Sequence, residues 1–520
     1  RGSSNLGNVG TPTPLKTYVD GVEILDPSYL GTIDPTSIER IEIVTGPQAA
    51  TVYGSGAMGG VMQIFTKKCH DATSPEITLT ARYGMLQNNF SDGNAPSHNH
   101  SVNVTGGAGA AFSYAGSLGY NYVGQWQPKL FNRRYSMSLG LTHMRGPVTV
   151  TGSASATRGA NGVIEGGYGV LSRIKQATGE YWLNLSPPSS RQATSTNQTL
   201  SFNADYRPAS WWQHHITFGR SQTDFELIPS APLFKTGSDS LLSFLSSAGH
   251  RTSFGFNTSM SSMTNNIWST TLTLGVTGSA ANQTQARGCL TNKTATAFVN
   301  CGSTAVGVSR LIHDESYGGF GRWQVGIARQ LYITLGVRGE QNPNYGQSHG
   351  IDWTPTNGIT YTLEPGNLTL KFLASYGKAT RPPNADWRIE NTRVFTGYDP
   401  PAYIDQFANP NLRPEYSRGP QGGVEVYYGN LGSFTVNRYI QTVTDLIQSV
   451  VADSTPRFAV ASGQNVYVKQ YQYQNVAEVR QHGWEITGSA TLAFLSLQGT
   501  YTWSDSRVTA VPQGSRYTVG

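Results

Sequence analysis

The feature that most restricts this chain is an alternation of period two that keeps returning from Glu76 onward. Between Ala111 and Val123, Phe112, Tyr114, Leu118, Tyr120 and Tyr122 share one parity, and Ser113, Ala115, Ser117, Gly119 and Asn121 share the other. Tyr135, Met137, Leu139 and Leu141 alternate with Ser136, Ser138 and Gly140. The same rhythm runs through Leu368, Leu370, Phe372, Ala374 and Tyr376, and through Leu495, Leu497, Tyr501 and Trp503. Period two puts successive side chains on opposite faces of a sheet. A soluble sandwich produces alternation too, but here the polar parity is small and neutral rather than rich in lysine and glutamate. A membrane β-barrel gives its apolar parity to lipid and its polar parity to the interior, and its strands recur along most of the chain.

Composition agrees. Charged residues are 13%, against about 25% in ordinary domains. Glycine reaches 59, tyrosine 27, phenylalanine 19 and tryptophan 10. Abundant aromatics and a net charge of only +6 argue against disorder. That charge is also too small for the length to indicate a nucleic-acid surface. Mean hydropathy is −0.33, and no apolar run reaches the length of a transmembrane helix.

Turn signals are asymmetric. Gly106 to Gly109, Arg145-Gly146-Pro147, Ala328 to Gln330, Glu364 to Asn367 and Gly429 to Gly432 are tight. Between them lie long polar stretches at 159–199, 229–251, 280–310 and 380–419. Short turns at one end and long loops at the other are the asymmetry of an outer-membrane barrel. The count is roughly 17 strands, with another starting near Ser515, and each long loop follows an odd-numbered strand. Trp211-Trp212 falls at a short turn, where an inner interfacial belt is expected.

Residues 38–68 precede the alternation and contain Gly54-Ser55-Gly56-Ala57-Met58-Gly59, a G-x-G-x-x-G match. A dinucleotide site needs a helix opening on these glycines. Here they run into Val61 to Thr66, which reads as a strand, so the pattern predicts tight backbone packing instead. Cys289 and Cys301 enclose a polar, glycine-flanked loop and read as a disulfide in an oxidising compartment. A zinc site lacks its remaining ligands. Cys69 stands alone, and the default for it is a free thiol.

Four segments resemble the TonB-dependent outer-membrane receptor family. "PLKTYVDGVEI" (Pro14 to Ile24) is similar to its plug-domain stretch. "IERIEIVTGPQAATVYGSGAMGGVMQIFTKK" (Ile38 to Lys68) resembles its strand, G-P turn, glycine segment and closing strand. "NPNLRPEYS" (Asn409 to Ser417) and "NVAEVRQHGWEITGSATL" (Asn475 to Leu492) resemble its barrel motifs. The resemblance implies a plug over 1–68, a linker over 69–75 and a barrel over 76–520. A barrel of this class has about 22 strands, so the chain reads as a fragment lacking the first half of the plug and the last strands. Gly46, Pro47, Tyr53, Gly54, Gly56, Gly59 and Gly60 are then expected to shape the plug turn, with positive φ at the last four glycines.

Glu39, Arg40 and Glu42 are candidates for polar contacts from plug to wall, with Lys371 or Arg338 as partners; the alternative is solvated charge in a wet lumen. His98-Asn99-His100 has no specified geometry for a metal, and no metal site or cofactor is expected. No nucleophile–base or carboxylate pairing stands out, so no enzyme activity is expected. For ligand capture the candidates are Trp126 and, on the loop 380–419, Arg381, Trp387, Arg388, Tyr398, Tyr403 and Phe407. Aromatics beside arginine suit a flat, oxygen-rich or anionic ligand; loop packing is the competing reading.

The resemblance implies active import of a siderophore-iron complex, cobalamin or glycan. The partners it implies are the TonB-ExbB-ExbD complex, outer-membrane lipid and, for glycan importers, a surface lipoprotein. A passive porin and a secreted β-rich adhesin or glycan-binding protein are the alternatives. A porin has no use for residues 38–68, and an adhesin is soluble without detergent.

Overall fold

Two β units share the chain. The computed structural model describes residues 15–25, 33, 35–44, 46, 49–67, 74–87, 94–109, 111–127, 130–164, 173–175, 181–183, 190–229, 234–236, 239–264, 267–291, 294–299, 308–346, 349–394, 398–400, 402–459, 462–492 and 494–510. The first unit is a small four-stranded sheet of β1 (Lys16–Val19), β2 (Val22–Glu23), β3 (Ile38–Val44) and β4 (Val61–Thr66), ordered β2-β1-β4-β3. Only β1 and β4 run parallel. A single helical turn, α1 (Ala50–Tyr53), and a 3-10 turn (Ala57–Gly59) bridge β3 to β4.

The second unit is a wall of seventeen long strands in up-and-down order. They are β5 (Glu76–Leu86), β6 (Ala95–Gly107), β7 (Phe112–Gln127), β8 (Leu130–Arg145), β9 (Val148–Ile164), β10 (Ser190–Ala209), β11 (Trp212–Pro229), β12 (Asp239–Thr264), β13 (Trp268–Thr291), β14 (Val308–Ile327), β15 (Leu331–Gln341), β16 (Asp352–Leu363), β17 (Leu368–Arg381), β18 (Glu415–Tyr428), β19 (Gly432–Ala459), β20 (Gln464–Leu492) and β21 (Leu495–Ala510). Each pairs antiparallel with the next. The expected tight turns fall at β6–β7, β8–β9, β14–β15, β16–β17 and β18–β19, and the long connections follow the odd-numbered members of the series.

The wall is inverted relative to a soluble protein. Leu118 is 58% exposed on the outer face, whereas its neighbour Ser117 is 6% exposed and faces the small sheet inside. Leu139, Leu200, Phe218, Phe254 and Leu335 are likewise exposed outward. Two aromatic belts bound this apolar band. Trp211, Trp212 and His214 cluster at the short-turn end, with ring centroids 5.7 Å and 4.5 Å apart. Tyr83, His98, His100, Tyr120, Tyr122 and Tyr135 cluster toward the other end, at centroid separations such as 4.9 Å for Tyr120–Tyr135. The histidines thus pack among tyrosines, and among the described residues no group of three or more potential ligands could hold a metal. Leu118→Arg is expected to cost about 2–4 kcal/mol of folded stability in lipid, while Leu118→Phe is tolerated. Folded fraction after refolding into vesicles checks this, and equal yields for the two variants would contradict an apolar-out wall.

Several strands run further than the alternation suggests. β12, β19 and β20 have 26, 28 and 29 residues. Part of the expected loops at 229–251 and 280–310 is therefore strand, and Trp126 lies within β7. Beyond the lipid band a hairpin needs no apolar face, so the ladder continues after the hydrophobic signal has stopped.

Candidate functional site

The small sheet sits in the lumen, and its contacts differ from side to side. On one side Ala49, Ala50, Ala57, Met58 and Val61 meet Ala379, Val443, Leu446, Ala477 and Val479 of β17, β19 and β20. All are almost fully buried, so this seam is dry. The opposite seam, against β9 to β15, is polar. The Lys16 ammonium lies 3.2 Å from Glu23, and the Arg251 guanidinium is also 3.2 Å from Glu23 and 3.3 Å from Asp314. Arg338 pairs with Glu340 at 2.8 Å, both within 4% of full burial, and donates to Thr277. Glu340 also accepts from the Ser55 amide at 3.0 Å, from Ser316 at 2.9 Å and from the Tyr345 hydroxyl at 3.3 Å. Three cations and three carboxylates therefore face one another across the seam, which satisfies charges that burial would otherwise penalise. A cavity of about 270 Å³ opens beside them, lined by Tyr18, Tyr53, Gln63, His215, Asn257 and Phe320 among others.

The turn between β1 and β2 is anchored separately. Asp20 accepts from the Thr66 amide and hydroxyl at 3.0 Å and 2.6 Å, and from Ser153 on β9 at 2.8 Å. Asn203 on β10 donates to the Asp20 carbonyl at 3.1 Å. Burial alone would push the Lys16 ammonium down, but Glu23, then Tyr18 and Glu340, outweigh it and hold it above an ordinary lysine. Burial pushes the Tyr18 phenol up to about 12. A raised lysine contributes fully below its unfolded value of 10.5 and loses that contribution only as pH climbs past its folded value. The Lys16 contribution to this seam is therefore constant across physiological pH.

The glycine segment lies at the meeting point of both seams. Lys16 donates to the carbonyls of Tyr53 and Ser55 at 2.8 Å and 3.0 Å, and the Gly56 amide donates to the Thr380 carbonyl at 2.9 Å. Gly54 (φ 76°, ψ −165°) and Gly60 (φ 108°, ψ −177°) occupy a region essentially closed to other residues. A Cβ on Gly54 would stand 2.5 Å from a Glu340 oxygen and 2.7 Å from Arg338. Gly46 and Gly56 also have positive φ. Gly59 corrects the sequence expectation: it sits in the 3-10 turn without positive φ, and a Cβ there meets nothing closer than 4.0 Å. The helical turn precedes these glycines and a strand follows them, so they open no helix onto a phosphate. Pro47 lies outside the described residues.

Arg40 is turned to its own strand, pairing with Glu39 at 3.1 Å and Glu42 at 2.8 Å and lying over the Phe65 ring. All three charges are exposed, because β3 is the edge of the small sheet. Arg338 is engaged with Glu340 instead of Arg40's strand, so contacts from plug to wall come from Asp20, Glu23 and the Ser55 amide, which the sequence reading overlooked. Their signal was available: Arg251, Asp314, Arg338 and Glu340 are charges that share one parity with the small polar residues of their strands. On the loop side, Arg381 is bound to buried Glu415, which also accepts from the Ile447 amide. Trp387 stacks on Tyr473 at 5.1 Å, and Arg388 donates to the carbonyls of Pro343 and Pro410. Tyr403 is buried, with Arg457 5.9 Å from its ring, and Phe407 is half-buried in the strand Ala402–Phe407. The side chains of Trp126, Tyr398 and Cys289, and Cys301 altogether, lie outside the described residues.

A family model described as "TonB dependent receptor-like, beta-barrel" matches residues 153–519, and one described as "TonB-dependent Receptor Plug Domain" matches residues 1–61. A ferric aerobactin receptor of Klebsiella pneumoniae is 31% identical over 133 residues, covering 24% of this chain and 17% of that protein. A hemin receptor of Yersinia pestis is 47% identical over 62 residues, covering 11% and 9%. The chain thus spans under a fifth of the length of these curated relatives. Among solved structures, the RagAB peptide importer in its closed-closed state superposes with a TM-score of 0.79 at 16% identity, covering 99% of this chain and 70% of that one. The siderophore receptor PirA from Acinetobacter baumannii gives 0.68 at 16% identity, with 94% and 72% covered. At such identities these superpositions establish the shared fold.

Proposed function

This chain belongs to the TonB-dependent receptor family, and from that premise we propose that it imports a scarce substrate actively across the bacterial outer membrane. The observation that supports this most is the stoppered lumen. The small sheet is the plug, sealed on its dry side by Met58, Val61, Val443 and Leu446 and tied on its polar side by the charges around Glu23 and Glu340. A wall filled this way favours energised passage over a passive pore, and its exposed apolar face disfavours a secreted adhesin. The TonB-ExbB-ExbD complex supplies the pull on the plug. The polar seam, with its adjoining cavity, is where the plug parts from the wall; the dry seam is the pivot.

The substrate we favour is an iron chelate, because the short stretches of sequence similarity are to a ferric aerobactin receptor and a hemin receptor. Cobalamin, a glycan or a peptide is the alternative, with a surface lipoprotein capping the outer loops for the larger cargoes. Trp387, Arg388 and Tyr403 serve this site by shaping the mouth through loop packing, and Trp126, Tyr398 and Phe407 are the residues proposed to contact the ligand. A deletion strain is expected to lose growth on one defined iron chelate under iron limitation, and a strain lacking TonB to lose it equally. Growth on the chelate that survives loss of TonB would reject active import, and a growth defect confined to cobalamin, a glycan or a peptide would replace the substrate class. We also propose that Cys289 and Cys301 form a disulfide on the outer side. Non-reducing peptide mapping is expected to recover the linked pair, and two free thiols would refute it.

A further inference from the structure

On the lipid face of β8 and β9, Arg133 and Arg158 have no described partner. Arg133 on β8 and Arg158 on β9 share the outward parity of Tyr135 and Met137, and register sets Arg158 opposite Tyr135 and Arg133 opposite Ala160. The two arginines are therefore diagonal neighbours on adjacent strands, within reach of one ligand. Both are exposed, and no described side chain forms a hydrogen bond or ion pair with either. They line a cavity of about 360 Å³ with Tyr135, Gln192 and Thr194. Arg158 lies ten residues up β9 from the short-turn end, a rise of roughly 25 Å along a tilted strand, which is the upper margin of the apolar band.

A second depression adjoins the first and shares Tyr135 and Arg158 with it. It is lined by Leu79, Val102, Leu118 and Met137, and its volume is about 740 Å³. A basic, hydroxyl-bearing cradle continuous with an apolar groove fits an amphiphile with an anionic head. The nearest outward carboxylates toward β11, Asp224 and Glu226, lie opposite Thr196 and Thr194, one strand further on, so the cradle itself is positive. We propose that Arg133 and Arg158 bind the phosphate of a phosphate-bearing lipid in the outer leaflet, its acyl chain lying in the groove over Leu118 and Met137. Guanidinium forks suit phosphate oxygens, and basic side chains at the headgroup level attract anionic lipid. The inference rests on reading the wall as membrane-spanning.

The test reconstitutes the full chain in nanodiscs of phosphatidylcholine with phosphatidylglycerol as the probe, and counts retained phosphatidylglycerol by native mass spectrometry. Arg133→Ala with Arg158→Ala is expected to lower that occupancy roughly tenfold, and the double lysine variant to lower it less. Both alanine and wild-type proteins should enter pure phosphatidylcholine discs equally; failure of both to enter would reject the membrane reading itself. Equal phosphatidylglycerol retention by wild type and the alanine variant overturns the site. Displacement of the lipid by millimolar inorganic phosphate would also overturn it, since the groove would then contribute nothing.

Discussion

Gly54→Val is expected to unseat the plug and abolish uptake. Gly54 holds a backbone conformation that only glycine adopts readily, and forcing a branched residue into it costs about 1–3 kcal/mol. The new Cβ would also overlap the Glu340 carboxylate and the Arg338 guanidinium, both buried and mutually paired. Neither can retreat without losing its partner, so strain and lost pairing add. The plug should loosen at its polar seam, and cells should become sensitive to large antibiotics that the intact barrel excludes. Gly59→Ala makes the contrast, because its position is neither strained nor crowded. Antibiotic zones and chelate uptake measured side by side should separate the two variants. Equal behaviour would mean that the geometry around Gly54 does not hold the plug.

Glu340→Ala is expected to be nearly as severe by a different route. It removes the acceptor for Arg338, the Ser55 amide, Ser316 and Tyr345 at one stroke. A buried guanidinium left without its carboxylate costs about 3–5 kcal/mol. Replacing both partners at once, with Arg338→Met and Glu340→Leu, should recover much of that loss, because no charge remains stranded. Chemical unfolding of the refolded protein measures this, and an unchanged midpoint for Glu340→Ala alone would contradict the pairing. The double variant should still lose the Ser55 anchor, so leak and stability should separate in it.

Much of the fold was legible because the lipid face imposes a simple rule. Leu118, Tyr120, Met137 and Leu139 had to share a face, and the turns at Gly146 and Gly366 had to punctuate the alternation. Where the rule lapses, legibility lapses: the upper parts of β12, β19 and β20 leave the band and carry no apolar alternation. The glycine segment was legible as packing rather than nucleotide binding, since Val61 to Thr66 follows it as a strand. The partition among its glycines was not, because φ at Gly59 depends on whether a 3-10 turn or a reversal occupies that step. The contacts from plug to wall were misassigned to Arg40 for a related reason. A charged triplet on one strand can satisfy itself, and Glu39-Arg40-Glu42 does. Glu23 and Arg251 have no such partner within a few residues and pair with each other across the seam, while Glu340 holds its strand neighbour Arg338 and still accepts from the Ser55 amide of the small sheet. Arg381, Trp387 and Arg388 read as ligand contacts from residue type alone, but their partners are other loop and wall residues distant in sequence.

The central claim is that the plug must move for substrate to pass. A Cβ on Gly336 of β15 would lie 3.1 Å from Thr51 Cγ2 in α1, close to the spacing between a Cβ and the far sulfur of a disulfide built from bonds of about 2.05 Å. Thr51→Cys with Gly336→Cys should therefore cross-link plug to wall on oxidation. Uptake of the chelate is measured in oxidised cells, in the same cells after dithiothreitol, and in a Thr51→Cys control. The account predicts that import stops in the cross-linked protein, returns on reduction and is insensitive to redox state in the control. Undiminished import by a fully cross-linked protein would contradict it.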